Sequence, residues 1–326
     1  NTRVYVKEKG IVVNEPSVVI TRGEGPKNIV AVGDSAEEMI GRAGGNIRII
    51  HPLRDGVIVD YEMAQIMIHY FVSKAIGTRR FVRPRVVVTM PGDVSKVERR
   101  AVINTMEKIG ARQIFVVEQA FAAALGTGLP VYEPQGSFIV DIGGGTSEVA
   151  VISLGGIVAA RSVRVGGDEF DSSIIQYIKK KYNLLIGERT AEDVKIQIGS
   201  AFPYEDEAPM EIKGRNLVDG LPKNIMVEPH EIREALADPL ELVMDAIKTT
   251  LERTPPELSA DIIDHGITLT GGGAMLKGLD QLITKETGMP VYVAERPLDC
   301  VADGAGTVLE NLEKLRDVLA EDDRRG

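Results

Sequence analysis

The sequence predicts an α/β protein made of two homologous halves, each carrying a small insertion. Two observations predict this: segments of the chain recur at fixed offsets, and a buried-looking strand near the middle ends in a run of glycines. With 326 residues and 44% hydrophobic content, the chain is long enough for two domains with full cores.

The glycine run follows the strand 137–142, which carries a single acid, Asp141, and consists of Gly143, Gly144, Gly145 and Thr146. The backbone N–H groups of such a turn can surround phosphate oxygens, and a carboxylate beside it can hold Mg²⁺ through water. A dinucleotide-binding loop would open a helix and a P-loop would continue Gly-Lys-Ser/Thr, but here a second and a third strand follow. We therefore interpret the loop as a hairpin tip that binds nucleotide phosphates, with a purely structural glycine hairpin as the alternative.

Repeats in the chain indicate the duplication. One offset places the hairpin at Gly10-Ile-Val on the hairpin at Gly156-Ile-Val. In that register Asn1 falls on Ser147, so we expect the partner of Asp141 and its glycines to lie just before residue 1.

Two further matches extend the repeat. The strand 85–90, a helix and the strand 114–118 match 266–270, a helix and 291–295. The string 124–128 matches 302–306, and both strings end a predicted helix. Each half is therefore expected to contain a hairpin, a strand–helix–strand segment and a final helix.

These segments resemble the actin superfamily and, within it, the MreB/Mbl family of bacterial rod shape-determining proteins. The resemblance spans the whole chain and is carried by the strings 9–19, 140–146, 185–195, 254–262 and 269–274. It implies a duplicated actin-like, ribonuclease H-like fold in which two domains, each with a small inserted subdomain, surround a nucleotide cleft.

Domain boundaries follow from the repeats. Domain I is expected over 1–137 plus 307–326, with its subdomain at about 21–60. Domain II is expected over 138–306, with its subdomain at about 174–235.

The resemblance implies that ATP and Mg²⁺ bind in the cleft. Asp141 would hold Mg²⁺ through water, and the glycine loop would bind the β- and γ-phosphates. Gly166, Gly167 and Asp168 open a helix predicted over 168–182, whose first amides could also face the nucleotide, with Asp168 near the ribose. Asp168 could instead, or in addition, be an N-cap that forms a capping box with Asp171.

Further nucleotide contacts are implied along the chain. Glu192 and Lys195 share a helix face that the resemblance places over the adenine, although a surface ion pair is the alternative. Glycines at a strand end, followed by a helix start, would let the base and the α-phosphate approach closely. These residues are Gly271, Gly272, Gly273, Ala274 and Met275. Asn1 and Thr2 resemble the edge of the first phosphate loop.

Hydrolysis needs a water molecule placed in line with the γ-phosphate. The water-orienting position of the superfamily maps on Gln119, where most MreB proteins have Glu and actin has Gln. Glu118 is the alternative, but adjacent strand residues point to opposite faces, so one of the two can reach the water. We expect Gln119 to orient it, with Glu118 and Asp141 as the other catalytic candidates.

A basic turn predicts membrane contact. Apolar Phe81 and Val82 lie among four arginines, and the resemblance implies that this loop binds a lipid surface. The membrane candidates are Arg79, Arg80, Phe81, Val82 and Arg83. A solvated turn whose Phe81 packs back on the protein is the alternative.

Composition restricts the function further. A net charge of −10 argues against a general nucleic-acid binder, and the single cysteine, Cys300, favours a reducing compartment. No apolar run reaches the length needed to span a bilayer, and the histidines lack metal-ligand spacing.

The family resemblance implies a filament-forming, membrane-associated ATPase of the bacterial cytoskeleton that organises cell-wall synthesis and maintains rod shape. Its location would be cytoplasmic and peripheral at the inner membrane surface, and its partners would be further copies of itself and rod-complex membrane proteins such as RodZ, MreC and MreD. A small-molecule kinase or a chaperone-type ATPase of the same superfamily is the alternative.

Overall fold

The structure is a computed structural model that describes residues 1–23, 25, 28–42, 44, 46–77 and 83–313. The chain divides into two compact units: unit 1 comprises Asn1–Leu129 and Asp299–Gly326, and unit 2 comprises Pro130–Leu298.

These divisions differ from the boundaries expected at 137/138 and 306/307. The segment 130–136 belongs with unit 2 because Val131 and Glu133 accept hydrogen bonds from the turn amides of Gly155 and Leu154. The segment from Asp299 belongs with unit 1 because it begins a helix that packs on residues 119–126.

The first part of the chain, through residue 129, contains nine strands and four helices among the described residues. They are β1 (Thr2–Val6), β2 (Gly10–Glu15), β3 (Val19–Arg22), β4 (Ile29–Val32), α1 (Asp34–Glu37), β5 (Ile47–Ile50), β6 (Leu53–Arg54), β7 (Val57–Ile58), α2 (Tyr61–Ile76), β8 (Arg85–Met90), α3 (Lys96–Lys108), β9 (Gln113–Glu118) and α4 (Gln119–Gly126). β1 and β2 form an antiparallel hairpin, β8 and β9 pair in parallel, and β3 lies between β4 and β5.

Unit 2 contains the next group of elements. They are β10 (Ser137–Ile142), β11 (Ser147–Ser153), β12 (Gly156–Val163), α5 (Gly167–Tyr182), β13 (Leu184–Leu185), α6 (Glu188–Ile198), β14 (Met210–Asn216), β15 (Pro222–Val227), α7 (Pro229–Glu252), α8 (Pro256–His265), β16 (Ile267–Thr270), a 3-10 turn (Gly272–Met275), α9 (Leu279–Thr287) and β17 (Val291–Val293). The last helix, α10 (Cys300–Glu310), returns to unit 1.

The central sheet of unit 2 has the strand order β12-β11-β10-β16-β17. β10 is antiparallel to β11 and parallel to β16, and all of its residues are buried. Because both faces of this strand are buried, its sequence does not alternate between apolar and polar residues, and Ser137–Ile142 is an almost continuous apolar run. Asp141 is the charged exception in that run.

Helix α5 packs beside this sheet. Phe170, Ile174 and Ile178 recur at helical spacing and are buried, and acids in the first turn and lysines in the last complement the helix dipole. Helix α6 packs on α5 and buries Ala191, Val194 and Ile198. These two helices therefore hold fixed positions relative to the end of β10.

The predicted duplication is confirmed by the elements that form. Hairpins β1–β2 and β11–β12 are both antiparallel, and β8–α3–β9 and β16–α9–β17 are both helix-connected parallel pairs. The helices α4 and α10, which carry the third repeat, pack against each other through small residues, but 302–306 lies near the start of α10 and not at its end as expected. A Cβ atom on Gly126 would lie 1.8 Å from the carbonyl oxygen of Cys300, so the crossing depends on that glycine.

Across the described residues, no helix combines the length and the apolar character needed to cross a membrane.

Candidate phosphate-binding site

A tight glycine turn joins β10 to β11. The Gly143 amide donates to the carbonyl of Thr146 over 2.8 Å and closes the turn. The amides of Gly144, Gly145 and Thr146 have no acceptor within the described residues. Consecutive amides of this kind form a nest that binds an anion.

The start of α5 sets the direction in which these amides point. The Gly167 amide donates to the Gly143 carbonyl over 3.0 Å, and the Asp168 amide donates to the Gly144 carbonyl over 2.8 Å. In a trans peptide the C=O and the following N–H point in opposite directions. The amides of Gly144 and Gly145 are therefore turned away from α5.

This arrangement corrects one expectation from the sequence. The first amides of α5 were expected to face a nucleotide, but those of Gly167 and Asp168 already bind the loop. Gly166 permits the close approach, because a Cβ atom there would lie 2.5 Å from the Gly144 carbonyl oxygen. Helix α5 thus uses its first two amides to orient the loop.

Asp168 is not the N-cap. Helix α5 begins at Gly167 after Gly166, no side chain caps it, and the expected capping box with Asp171 does not form. Asp168 lies exposed in the first turn, and its Oδ1 atom is 3.5 Å from the position that a Cβ atom on Gly144 would occupy. Its carboxylate therefore lies beside the glycine loop.

Asp141 lies in a buried polar row that crosses the central sheet. Its register partners are Glu148 on β11 and Thr270 on β16, and Glu148 is in turn paired with Ser162 on β12. Partners in register project from the same face. Asp141 is 1% and Glu148 3% exposed, and the Ser162 hydroxyl donates to Glu148 over 2.5 Å.

The glycines after β16 fit tightly against the end of β10. Gly271 has φ of +82°, and a Cβ atom there would lie 2.3 Å from the Ile142 carbonyl oxygen and 2.7 Å from Asp141 Oδ1. Gly273 packs in the same way on the Ile142 side chain. Gly271 therefore makes room for the carboxylate of Asp141, and Gly273 for the side chain of Ile142, which are packing requirements that the sequence did not reveal.

The α-helix that follows these glycines begins later in the chain than expected. A 3-10 turn covers Gly272–Met275, and α9 begins at Leu279 rather than near Ala274. Ala274 is buried, whereas the side chain of Met275 is 60% exposed.

The residues present fit Mg²⁺ held mainly by water and phosphate. Mg²⁺ commonly uses one or two carboxylates, several waters and the phosphate oxygens of a substrate. Asp141 supplies a carboxylate beside the turn, with space kept by Gly271. Within the described residues no group of three or more His, Cys, Asp or Glu side chains could hold a metal ion.

Lys195 reaches from α6 to the start of α5. Its ammonium donates to Asp171 Oδ2 over 2.9 Å and to the Gly167 carbonyl over 3.2 Å. Glu192 is exposed on the same helix, and the alternative of an ion pair between Glu192 and Lys195 is not observed. Burial raises the pKa of the Asp171 carboxyl to about 6, although Lys195 acts to lower it.

The remaining predicted residues belong to unit 1. Glu118 ends β9, and Gln119 is the first residue of α4. Thr2 lies in β1 and shares a hydrogen bond of 2.8 Å with Ser17, while Asn1 precedes the strand and is exposed. Arg83 is exposed. The other membrane candidates, Arg79, Arg80, Phe81 and Val82, lie outside the described residues.

Sequence reasoning missed two acids near the turn. Glu148 becomes a neighbour of Asp141 once strand alternation is counted through the hairpin, so its position was available from the spacing. Asp171 was considered only as part of a capping box. Its contact with Lys195 joins α5 to α6, and no local sequence pattern reveals how these two helices pack.

A duplicated α/β fold with a glycine hairpin tip beside a buried carboxylate defines this chain as an actin-like protein. Solved structures agree. MreB5 of Spiroplasma citri bound to ADP has a TM-score of 0.90 and 39% identity, with coverage of 96% of this chain and 94% of that chain. A MamK double helical filament has a TM-score of 0.79 at 22% identity, covers 93% of this chain and 94% of that chain, and supports the fold alone.

Sequence comparison gives the family. The model of the MreB/Mbl protein family matches residues 1–317. The cell shape-determining protein Mbl of Bacillus subtilis (strain 168) is 47% identical over 315 residues, 97% of this chain and 94% of that protein. The cell shape-determining protein MreB of Escherichia coli (strain K12) is 49% identical over 318 residues, 96% of this chain and 91% of that protein. The chain therefore belongs to the MreB/Mbl family.

Proposed function

We propose that this chain is a slow, Mg²⁺-dependent ATPase that polymerises into filaments on the inner face of the cytoplasmic membrane and organises cell-wall synthesis in rod-shaped cells. The observation that carries the proposal is the nest of Gly144, Gly145 and Thr146 amides beside the buried carboxylate of Asp141. The ADP and AMPPNP named with the two MreB5 structures of Spiroplasma citri support an adenine nucleotide as the ligand.

The glycine turn would bind the β- and γ-phosphates with backbone donors. Donors fixed before the ligand arrives need no reorganisation when charge develops in the transition state. Here the two hydrogen bonds from α5 fix the turn. Glu192 and Lys195 would contact the nucleoside, and Gly271 to Met275 would complete the binding surface.

Asp141 would hold Mg²⁺ through water. When bound, Mg²⁺ neutralises phosphate charge, which is the chief requirement of phosphoryl transfer. Gln119 would orient the attacking water, with Glu118 as the adjacent acid. The assignment of Gln119 rests on the family resemblance and on its position at the first turn of α4.

Polymerisation and membrane binding extend the proposal beyond the nucleotide site. Family membership supports self-assembly. The arginines and apolar residues at 79–83 would contact anionic lipid, and RodZ, MreC and MreD are the partners that the family implies.

The nucleotide site is tested by replacing Asp141. Asp141→Asn keeps the shape of the side chain and removes its charge, so we expect the Mg²⁺-dependent part of AMPPNP binding and of ATP hydrolysis to be lost. Isothermal titration with and without Mg²⁺ measures the first. Thr268→Ser, on β16 and away from the turn, is the control that should bind as the wild type does. Unchanged Mg²⁺ dependence in Asp141→Asn would refute the assignment.

Sedimentation separates the proposed cytoskeletal function from the kinase and chaperone alternatives. A membrane-apposed filament should pellet with ATP and Mg²⁺, and should pellet with anionic vesicles without any phosphate acceptor. Hydrolysis that depends on an added sugar or on an unfolded polypeptide, without pelleting, would favour an alternative.

A further inference from the structure

Asp171 is a partly buried acid whose contacts are incomplete. Its side chain is 15% exposed, and Oδ2 accepts the hydrogen bond from Lys195. The other oxygen, Oδ1, is buried and has no hydrogen-bond partner among the residues that the structure describes. An unsatisfied buried oxygen is costly, and such groups in native proteins call for an explanation.

The charge of Asp171 also opposes folding. The charged groups that face it are Lys195 and Glu192 on α6 and Asp168 on α5; burial and the two acids raise its pKa, and Lys195 lowers it. The pKa rises from 3.8 to about 6, so the folded state holds this proton more tightly than the unfolded chain. The contribution of Asp171 to the free energy of unfolding is therefore fully present below pH 3.8, and it is lost as the pH rises through about 6.

A second acid, Glu231 on α7, which packs on α5, behaves in the opposite way. Glu231 pairs with Lys181 of α5 over 2.7 Å and its side chain is 4% exposed. Burial acts to raise its pKa, but hydrogen bonds from the Glu228 amide, Lys181 and Tyr182 outweigh it and lower the pKa. Stability linked to Glu231 is thus present at neutral pH and lost in acid. Glu231 fits a structural role, and Asp171 does not.

The position of Asp171 beside Lys195 and the glycine turn offers a reason for an acid that does not stabilise the fold. Lys195 spans Asp171 and the Gly167 carbonyl, and Gly167 donates to the glycine turn. An ammonium has three donors, and the third N–H of Lys195 has no acceptor in the described part of the chain. Without a fixed acceptor such as Asp171, the flexible lysine stem would sample many rotamers.

We propose that Asp171 is a positioning residue of the nucleotide site, which holds the Lys195 ammonium at the start of α5 with one donor directed to a ribose or phosphate oxygen of the ligand. The inference rests on the proposed nucleotide binding. It gives Lys195 a defined task, because the ammonium joins the helix that carries Glu192 to the helix that orients the glycine turn.

The test compares Asp171→Asn with Glu231→Gln as the matched control. Each exchanges a lysine-paired carboxylate, partly buried in Asp171 and buried in Glu231, for its amide. Isothermal titration of AMPPNP with Mg²⁺ at pH 7.5 should give about tenfold weaker binding for Asp171→Asn, since Lys195 loses its charged acceptor. The unfolding midpoint of the nucleotide-free protein should not fall. Glu231→Gln should show the reverse, a lower midpoint with unchanged affinity.

The pH dependence gives a readout that a structural role would not move. At pH 5.5 Asp171 is largely protonated in the wild type, because its pKa is about 6. The affinity ratio between the wild type and Asp171→Asn should therefore shrink towards one. Protonation of the nucleotide itself affects both proteins equally and cancels in the ratio.

Each remaining outcome decides the question. Wild-type affinity in Asp171→Asn, or a ratio independent of pH, would overturn the inference while leaving nucleotide binding intact. A midpoint that falls together with affinity, as for an ordinary structural pair, would also overturn it. Absence of AMPPNP binding by the wild type would refute the proposed function and this inference with it. If Asp171→Asn does not fold, Asp171→Ser is measured in its place with the same expectations.

Discussion

The two copies of the strand–helix–strand segment differ most where the first strand ends. In unit 1, β8 leads to α3, whose start is fixed by a capping box between Ser95 and Glu98. In unit 2, β16 leads through Gly271 to a 3-10 turn, and α9 starts after Gly278 without a side-chain cap. The unit 2 copy therefore has glycines that approach β10 where the unit 1 copy leads to a capped helix. Contact with the strand that carries Asp141, rather than helix stability, therefore determines this sequence.

The two units also differ in how their buried apolar residues are grouped. The buried apolar residues of unit 2 form one large cluster that includes β10, α5, α6 and α7. The described residues of unit 1 distribute theirs among smaller clusters, such as the one under α2 and the one between α3 and β8. Close-packed interiors have low compressibility. A single packed core can therefore hold the loops of unit 2 in fixed positions.

The largest expected effect comes from giving the unit 2 glycine a side chain. Gly271→Ala places a Cβ atom 2.3 Å from the Ile142 carbonyl and 2.7 Å from Asp141 Oδ1, at φ of +82°. Backbone strain and overpacking together should lower the free energy of unfolding by about 3 kcal/mol or more, and AMPPNP binding should be lost. Chemical denaturation and titration measure the two effects.

Gly288→Ala is the control for Gly271→Ala. Gly288 has φ of +73°, but no described atom lies within 4 Å of its Cβ position, so the strain of a positive φ acts there without a clash. It should cost about 1 kcal/mol and leave binding unchanged. Equal losses for the two variants would mean that the approach to β10 is not what requires Gly271.

The second strands of the two copies also end differently. β9 leads directly into α4, so Gln119 starts a helix, whereas β17 ends at Val293 and α10 begins at Cys300. If this arrangement serves catalysis, Gln119→Ala should slow ATP hydrolysis about 10²-fold and leave AMPPNP affinity unchanged, as expected for the loss of one positioned polar group. Gln113→Ala, at the exposed other end of β9, should hydrolyse at the wild-type rate. Equal rates for all three proteins would remove Gln119 from the mechanism.

The sequence predicted the parts of the molecule that local patterns encode. The hairpin at Gly156, the helix-connected strands and the turn after Asp141 follow from residue spacing within each segment, and the structure has them. The start of α5 at Gly167 instead of Asp168, and the use of its amides by the turn, depend on how α5 meets β10. The space that Gly271 leaves for Asp141 and the reach of Lys195 to Asp171 are tertiary contacts between distant segments, which spacing does not specify.

The smallest effect concerns the cap that one copy has and the other lacks. In α3 the Ser95 hydroxyl accepts from the Glu98 amide over 3.2 Å, and the Glu98 carboxylate accepts from the Ser95 amide over 2.8 Å. Ser95→Ala should lower the free energy of unfolding by about 1 kcal/mol, and Ser95→Asp should restore most of it, because either side chain can accept at an N-cap. In the unit 2 copy the start of α9 is held instead by the preceding insertion, since Ala201 donates to Lys277 over 2.7 Å. Denaturation of Ser95→Ala with no loss of stability would mean that unit 1, like unit 2, positions its helix by tertiary contacts, and that the two copies differ in sequence but not in what holds them.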